Sequence, residues 1–379
     1  MTTATPDIHR GLAGVVVDTT AISTVIPETN SLTYRGYPVQ DLAAHRSFEE
    51  VAHLLWYGEL PDAAQLRDFR ARESALRPLD RTTSELLARL PQTCHPMDVL
   101  RTAVSFFGAE DPTEDDGSLA AHRAKSLTLL AKLPTVVAAD QRRRRGLDPI
   151  PPDPGLGYAQ NFFRMCFGSV PAPEVVRCFE ISLILYAEHS FNASTFTARV
   201  VTSTLSDLYS AVTAAIGALK GPLHGGANEA VMHMLEEIDD PQRAAEWLDE
   251  ALAAKRKIMG FGHRVYQHGD SRVPLMQAAL DRLVARAADP GTTRLAALHT
   301  ALRDAMLTRK DIHPNLDYPA GLAYHLMGFD TPTFTPIFVM SRITGWTAHI
   351  TEQLAHNALI RPLASYEGPG ERAVPGVGG

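Results

Sequence analysis

Three short strings of this sequence each place one titratable side chain among residues that favour turns. The strings are GPLHGGAN (Gly221 to Asn228), GFGHRVYQHGDSR (Gly260 to Arg272) and PNLDYPAG (Pro314 to Gly321). Glycine and proline allow tight turns and a close approach of the backbone to a ligand. The side chains framed in this way are His224, His263 and Asp317. Proton transfer at carbon needs a base, an electrophile and a pocket closed to water, so the combination predicts an acid/base enzyme.

The first string predicts a neutral histidine. His224 comes just before a predicted helix with the sequence GANEAVMHMLEEI, so the positive end of the helix dipole disfavours a charged ring. A neutral ring that keeps one N–H can polarise a carbonyl oxygen without adding a full charge. The alternative is a structural histidine in a glycine-rich turn.

The third string predicts a carboxylate base. Asp317 lies between Asn315 and Pro319 in what we interpret as a loop. If Leu316 and Tyr318 enclose it, the loss of water makes its carboxylate more basic. Taken alone the signal is weak, because many loop aspartates only accept hydrogen bonds from nearby amides.

Several basic side chains are candidates for holding an anion. Arg272 is expected at the start of a helix, with Asp270 or Ser271 as the cap, where a bidentate guanidinium suits a carboxylate. Arg342 in MSRITGW and Arg361 in ALIRPLASY stand in apolar surroundings and need an anionic partner. That partner is either a structural carboxylate or a bound substrate.

His189 is the polar interruption of a predicted apolar helix, LILYAEHSFNASTF. On this pattern alone, a core histidine with internal partners is the more common interpretation than a ligand-binding one. Its role therefore depends on the other candidate residues.

The elements that must position these side chains are predicted to be helical almost throughout. Residues 11–40 are rich in Val, Thr, Ile and Tyr and predict a short β-element or an extended entry segment. FEEVAHLLWYGEL (48–60) predicts a helix closed by Pro61, and residues 174–217 predict two long apolar helices. Residues 218–323 are more charged and predict a smaller, more solvated subdomain.

Composition excludes several classes of protein. At 379 residues the chain can form a large core, and its formal net charge of −7 argues against non-specific nucleic-acid binding. The basic run from Arg142 to Arg145 is expected to be a solvated helix end. Three cysteines without metal-ligand spacing, no signal peptide and no apolar run of membrane-spanning length predict a cytoplasmic protein.

The three strings together resemble the motifs of the citrate synthase family, in the family's order and at similar distances. The motifs are GPLHGGAN, GFGHRVY followed by D-[PS]-R, and NLD, and most members have proline at the position of Ser271. The resemblance runs through nearly the whole chain. Within the family, YAEHSFNASTF and the chain as a whole are most similar to the actinobacterial 2-methylcitrate synthases.

This resemblance implies a mainly α, two-domain fold with the active site in the interdomain cleft. The large domain would comprise residues 1–217 and 324–379, with 367–379 as a disordered tail, and the small domain residues 218–323. It also implies a homodimer, with no permanently bound cofactor and no metal.

The resemblance further implies a role for each candidate residue. Asp317 would remove a proton from the α-carbon of an acyl-CoA thioester, His224 would stabilise the resulting enol, and His263 would polarise and protonate the ketone oxygen of oxaloacetate. The side chains expected to hold oxaloacetate are Arg77, His189, Arg272, Arg342 and, from the other subunit, Arg361. The backbone expected to lie along CoA is that of Lys257, Ile258, Met259, Gly260, Phe261 and Gly262.

The implied reaction joins propionyl-CoA, oxaloacetate and water to give 2-methylcitrate and CoA. A citrate synthase that uses acetyl-CoA is the alternative, because one methylene is worth only ~1–3 kcal/mol in an apolar pocket. A non-catalytic CoA- or dicarboxylate-binding regulator could dispense with the base, which this chain retains. A metal-dependent lyase is disfavoured because the 15 histidines include no HxxxH pair.

Overall fold

The computed structural model describes residues 8–263, 265–266, 269–287 and 289–375. Within these ranges the chain contains sixteen α-helices and one three-stranded antiparallel sheet. The strands are β1 (Ser23–Ile26), β2 (Ser31–Tyr34) and β3 (Tyr37–Pro38). The predicted helical fold and short β-element are therefore confirmed. Residues 1–7 and 376–379 lie outside the described residues, as do Arg264, Gln267, His268 and Ala288.

The helices of the N-terminal half bury apolar faces around one hydrophobic core. They are α1 (Val39–His45), α2 (Phe48–Tyr57), α3 (Ala63–Leu76), α4 (Arg81–Arg89), α5 (Pro96–Glu110), α6 (Leu119–Arg144), α7 (Tyr158–Phe167), α8 (Pro173–Tyr186), α9 (Ala193–Ser203) and α10 (Leu208–Leu219). Helix α2 ends earlier than the sequence predicts, because Gly58 adopts a left-handed conformation with φ 89° before Pro61 is reached.

The remaining helices are α11 (Ala227–Ile238), α12 (Ala244–Ala253), α13 (Val273–Arg286), α14 (Pro290–Lys310), α15 (Asp317–Leu326) and α16 (Phe334–Ala355). Helix α16 is buried along most of its length and contacts α2, α6, α8, α9 and α10. Helices α11 to α15 pack on one another, and α13 and α15 also contact α8. The division into domains at residues 218 and 323 stays a prediction.

The prediction of two long helices over residues 174–217 is wrong, because this stretch forms the three helices α8, α9 and α10. The chain leaves α8 after Tyr186, and Asn192 begins α9 by accepting a hydrogen bond from the Thr195 amide at 3.1 Å. His189 therefore lies in a turn between two helices, whereas its sequence pattern placed it inside one. Helix α8 ends at this turn and helix α9 begins after it. The side chains of the turn are therefore available to the site.

No described helix combines the length and apolar character needed to cross a membrane. The cytoplasmic location stays a prediction.

Candidate active site

Six of the predicted site residues converge where α8, α15 and α16 meet the loops before α11 and α13. This site cluster consists of His189, His224, His263, Arg272, Asp317 and Arg342. Its members interact electrostatically: the charge of Arg342 acts to lower the pKa of His189, His224 and Asp317. The rings of His189 and His263 also lie 4.9 Å apart, centroid to centroid. The structure thus brings together all three proposed catalytic side chains and three of the five proposed oxaloacetate ligands.

Asp317 is the first residue of α15, so its predicted place in a loop is wrong. The backbone before it is tied down by Asn315, whose Oδ1 accepts a hydrogen bond from the Asp317 amide at 3.1 Å. The phenol of Tyr186 donates to Oδ1 of Asp317 at 2.6 Å. Burial raises the pKa of Asp317 to about 6, although the Tyr186 bond and the charge of Arg272 oppose the shift. The result is a carboxylate more basic than a solvated one, with Oδ2 free of this bond.

His224 is held as a neutral ring with a defined tautomer. The backbone amide of Ser194 donates a hydrogen bond to Nε2 of His224 at 3.2 Å. The Ser194 hydroxyl lies 2.8 Å from the same nitrogen. Because a backbone N–H can only donate, we assign Nε2 as the acceptor and place the ring proton on Nδ1. Burial, together with the charge of Arg342, lowers the pKa of His224 to about 4. His224 is therefore an uncharged hydrogen-bond donor at neutral pH, and burial rather than the position before α11 is the main cause.

His263 is likewise neutral, with the opposite tautomer. Its Nδ1 accepts a hydrogen bond from the amide of Val265 at 3.1 Å, which leaves the ring proton on Nε2. Burial and the charge of Arg272 lower the pKa of His263 to about 4. Burial also lowers the pKa of His189 well below its usual value. The phenol of Tyr266 lies 3.3 Å from Nε2 of His189 and links the two rings.

Arg272 is buried and bidentate to Asp270. Its Nε and Nη2 donate to the two carboxylate oxygens at 2.9 and 2.6 Å. Burial would raise the pKa of Asp270, but Arg272 outweighs it and the pKa falls to about 2. Asp270 also accepts from the amide of Leu316 at 3.1 Å, next to Asp317. The expected cap at Asp270 or Ser271 is not the one observed, because Arg272 itself occupies the cap position of α13.

Arg342 is the cationic member of the site cluster without a carboxylate partner. Its Nε donates to the carbonyl of Tyr186 at 2.7 Å, and its guanidinium carbon lies 4.8 Å from the ring centroid of Phe338. No Asp or Glu among the described residues lies within 4.0 Å of its nitrogens. Burial lowers the pKa of Arg342 to about 10, so the group still carries its charge at neutral pH. A buried guanidinium of this kind suits an anionic ligand.

Similarity to known proteins identifies the family of this chain. The family model "Citrate synthase, C-terminal domain" matches residues 11–363. The chain belongs to the citrate synthase family. It is 66% identical to a 2-methylcitrate synthase of Mycobacterium tuberculosis over 98% of this chain and 93% of that one. It is 64% identical to a citrate synthase of Mycolicibacterium smegmatis over 99% of this chain and 100% of that one.

A solved citrate synthase supports the fold. The enzyme of Thermoplasma acidophilum, determined in a ternary complex with carboxymethyl coenzyme A and oxaloacetate, superimposes with a TM-score of 0.92 at 32% identity. The match covers 98% of this chain and 99% of that one. The helical architecture is thus that of citrate synthases along nearly the whole chain.

The segment proposed to lie along CoA runs beside the start of α15. The Gly262 amide donates to the His313 carbonyl and the Asn315 amide to the Gly260 carbonyl, both at 2.9 Å. Gly260 has φ +82°, and a Cβ there would come within 2.5 Å of Val231, so only glycine fits. This pairing brings the backbone of residues 260–262 next to Asp317. Its contact with CoA stays a prediction.

Arg77 lies apart from the site cluster. Its guanidinium pairs with Glu73 at 2.6 Å and donates to the carbonyls of Asp153 and Leu156 at 3.1 and 2.8 Å. It borders a separate cavity of about 510 Å³, which Glu49 and Tyr158 also line. Most of its donors bond within the protein, and its role as an oxaloacetate ligand stays a prediction.

Arg361 is exposed in the segment that follows α16 and contacts no member of the site cluster in this protomer. The residues 356–375 contain no helix or strand. This placement does not test the proposed contribution to a second subunit.

Sequence reasoning missed Tyr186 and the second role of Asp270. Tyr186 ends α8, and its phenol and carbonyl reach Asp317 and Arg342. No local sequence motif singles out Tyr186, because its partners are distant in the sequence. The sequence predicts only a capping role for Asp270, yet its charge fixes Arg272. Its position two residues before an arginine of interest was a usable signal.

No set of three or more His, Cys, Asp and Glu side chains in the described part of the chain is placed to hold a metal ion.

Proposed function

We propose that this protein is a 2-methylcitrate synthase, which condenses propionyl-CoA with oxaloacetate and water to give 2-methylcitrate and CoA. The observation that carries the proposal is the convergence of one basic carboxylate, two neutral imidazole donors and two buried arginines in one cluster. The near full-length similarity to the Mycobacterium tuberculosis enzyme of that name supports the acyl group.

The first step is the formation of an enol from the thioester. Asp317 takes a proton from the α-carbon, and its pKa of about 6 suits a base that acts near neutral pH. The Nδ1–H of His224 donates to the thioester oxygen, on which negative charge develops. Because the His224 ring is neutral, it stabilises this negative charge by a hydrogen bond and does not transfer its proton to the thioester oxygen before the reaction.

The second step joins the enol carbon to the ketone carbon of oxaloacetate. The Nε2–H of His263 donates to the ketone oxygen and protonates the alkoxide as the carbon–carbon bond forms. Arg272, Arg342 and His189 hold the two carboxylates and the ketone. Water then attacks the thioester carbonyl, which releases CoA as its thiol and leaves the third carboxylate of the product.

The choice of thioester tests the proposed substrate. We expect kcat/KM for propionyl-CoA to exceed that for acetyl-CoA by about tenfold. One methylene in an apolar pocket changes the ratio of the two kcat/KM values by about 10- to 200-fold. Release of the CoA thiol, measured with oxaloacetate in excess, gives both values. Citrate synthase activity is the second candidate, because a relative of that name is 64% identical. A tenfold preference for acetyl-CoA would favour that candidate, and no thiol release from either would refute both.

We further propose that the active protein is a homodimer in which Arg361 completes the partner's site. Its exposure in a segment that extends from the end of α16 supports this arrangement. Such a dimer is symmetric, so each protomer gives one arginine and receives one.

Mixing two inactive variants tests the shared site. Protomers with Arg361→Ala and protomers with Asp317→Asn are each expected to be nearly inactive. In a mixed dimer one site has both an intact Asp317 and an intact Arg361, so random exchange should restore about a quarter of wild-type activity. Differently tagged protomers allow the mixed dimers to be purified and assayed for thiol release. Purified mixed dimers without recovered activity would contradict the exchange of Arg361.

A further inference from the structure

The turn that carries His189 is fixed by side chains from distant parts of the chain. The phenol of Tyr34 accepts from the Glu188 amide at 3.2 Å and donates to the Glu188 carbonyl at 2.9 Å. The hydroxyl of Ser23 accepts from the Ser190 amide at 2.9 Å. Ser190 has φ +48°, which is uncommon for a residue with a side chain. The contacts therefore hold the backbone around His189 in a conformation that an isolated turn rarely adopts.

Beneath this turn lies a completely buried carboxylate. Oε1 of Glu188 accepts from the Ser23 hydroxyl at 2.9 Å and lies 2.8 Å from Nε2 of His349. Oε2 of Glu188 has no hydrogen-bond partner among the described residues. Both Glu188 and His349 have no exposed surface. An incompletely paired buried carboxylate costs free energy compared with apolar side chains, so stability alone does not explain it.

Helix α16 connects this carboxylate with Arg342. Arg342, Gly345 and His349 follow one another along one face of the helix. A Cβ at position 345 would lie 2.2 Å from Oε2 of Glu188 and 2.5 Å from the carbonyl of Ala187. The turn can approach the helix only because residue 345 has no side chain. Glu188 thus lies between the two helical positions that carry Arg342 and His349.

The charges around Glu188 are consistent with a stabilised carboxylate. Burial would raise the pKa of Glu188, but His349 and Arg342 outweigh it and the pKa is lowered. Burial also disfavours the charged form of His349, and the charge of Glu188 outweighs that effect, so the pKa of His349 is raised. The other charged groups facing His349 are Arg199, 3.3 Å away, and Glu352, 3.7 Å away.

We propose that Glu188 and His349 form a pair of positioning residues for oxaloacetate binding. The pair joins the turn of His189 to the helix of Arg342. It therefore sets the distance and the relative orientation of these two oxaloacetate-binding side chains. Neither residue touches the substrate. The identity of the ligand rests on the proposed function, while the mechanical link rests on the contacts described above.

Removing the charge of Glu188 without changing its size tests the link. Glu188→Gln should raise KM for oxaloacetate by about tenfold and leave KM for the thioester within about twofold. A general loss of stability would not produce this split. His349→Gln should have the same effect, and the double variant should be no worse than either single one, because the two residues act as a unit. Steady-state thiol release gives both KM values.

A buried carboxylate elsewhere provides the matched control. Asp140 in α6 is buried and pairs with Arg143 and Arg144, each at 2.7 Å, neither of which belongs to the site cluster. Asp140→Asn should lower the melting temperature and leave both KM values unchanged. If Glu188→Gln does not fold, Ser23→Ala replaces it, since this variant removes one bond to Oε1 and one to the turn. We expect a rise of about threefold in KM for oxaloacetate from this variant.

Three results would contradict the positioning role of Glu188 and His349. They are an unchanged KM for oxaloacetate in folded Glu188→Gln, equal rises in both KM values, or additive effects in the double variant. If the wild-type protein has no synthase activity, calorimetric titration of oxaloacetate into wild type and Glu188→Gln still decides the question. Tighter binding by wild type supports the link, and equal affinity contradicts it. Failure of the proposed function is therefore separate from failure of this inference.

Discussion

Replacing Asp317 by asparagine should lower kcat by about 10²- to 10⁴-fold, because a general base contributes about that much to proton transfer. The amide keeps the size of the side chain and can still accept from Tyr186, but it cannot take a proton from carbon. Oxaloacetate binding should remain within about twofold of wild type, since the arginines are intact. Thiol release measures kcat, and calorimetric titration measures oxaloacetate binding. Turnover within tenfold of wild type would contradict the role of Asp317.

The ionisation of Asp317 gives this assignment a signature in the pH profile. The base works only when deprotonated, and burial raises its pKa to about 6, so kcat/KM should fall as the pH drops below that value. The Tyr186 bond stabilises the carboxylate, so Tyr186→Phe should move this acid limb to higher pH while preserving activity above it. Asp311→Asn serves as the control, because Asp311 is exposed at the end of α14. This control should match wild type in both rate and profile.

The parts of the site that sequence predicted are those written in local strings. His224, His263 and Asp317 each stand in a short motif, and all three converge. The pKa of His224 is lowered in the predicted direction, but the causes are burial and the charge of Arg342, whereas the prediction rested on the helix dipole. Turn-forming residues surround these three side chains in the sequence. Their functional role can therefore be predicted without knowing how the chain packs.

The parts that sequence could not predict depend on contacts between distant segments. Tyr186 reaches Asp317 across 131 positions, and Ser23 reaches Glu188 across 165. The apolar run over residues 174–217 hides its first break, because Glu188 and His189 are buried like the helices that flank them. The second break, at Thr204 and Leu205, is exposed. The position of Arg77 outside the site cluster depends on distant contacts in the same way, since its guanidinium donates to the carbonyls of Asp153 and Leu156, 76 and 79 positions away.

Truncating His224 to alanine should lower kcat by about 10²- to 10³-fold, the usual effect of removing one donor from an oxyanion site. The Ser194 amide fixes the ring so that Nδ1–H is the available donor, and the ring carries no charge at neutral pH. KM for oxaloacetate should change little, because His224 acts on the thioester. The control is His233→Ala, since the His233 side chain is 63% exposed on the following helix α11. This variant should keep wild-type activity.

Exchange of the thioester's α-hydrogens with heavy water separates the role of His224 from that of His263. In the presence of a dicarboxylate that cannot condense, wild-type protein should exchange these hydrogens, because enolisation precedes carbon–carbon bond formation. His224→Ala should slow the exchange as strongly as it slows turnover, since it removes the donor that stabilises the enol. His263→Ala should block condensation while exchange continues, because its Nε2–H faces the ketone. Fast exchange in His224→Ala together with slow turnover would assign His224 to a later step, and the neutral tautomer held by Ser194 would then need another explanation.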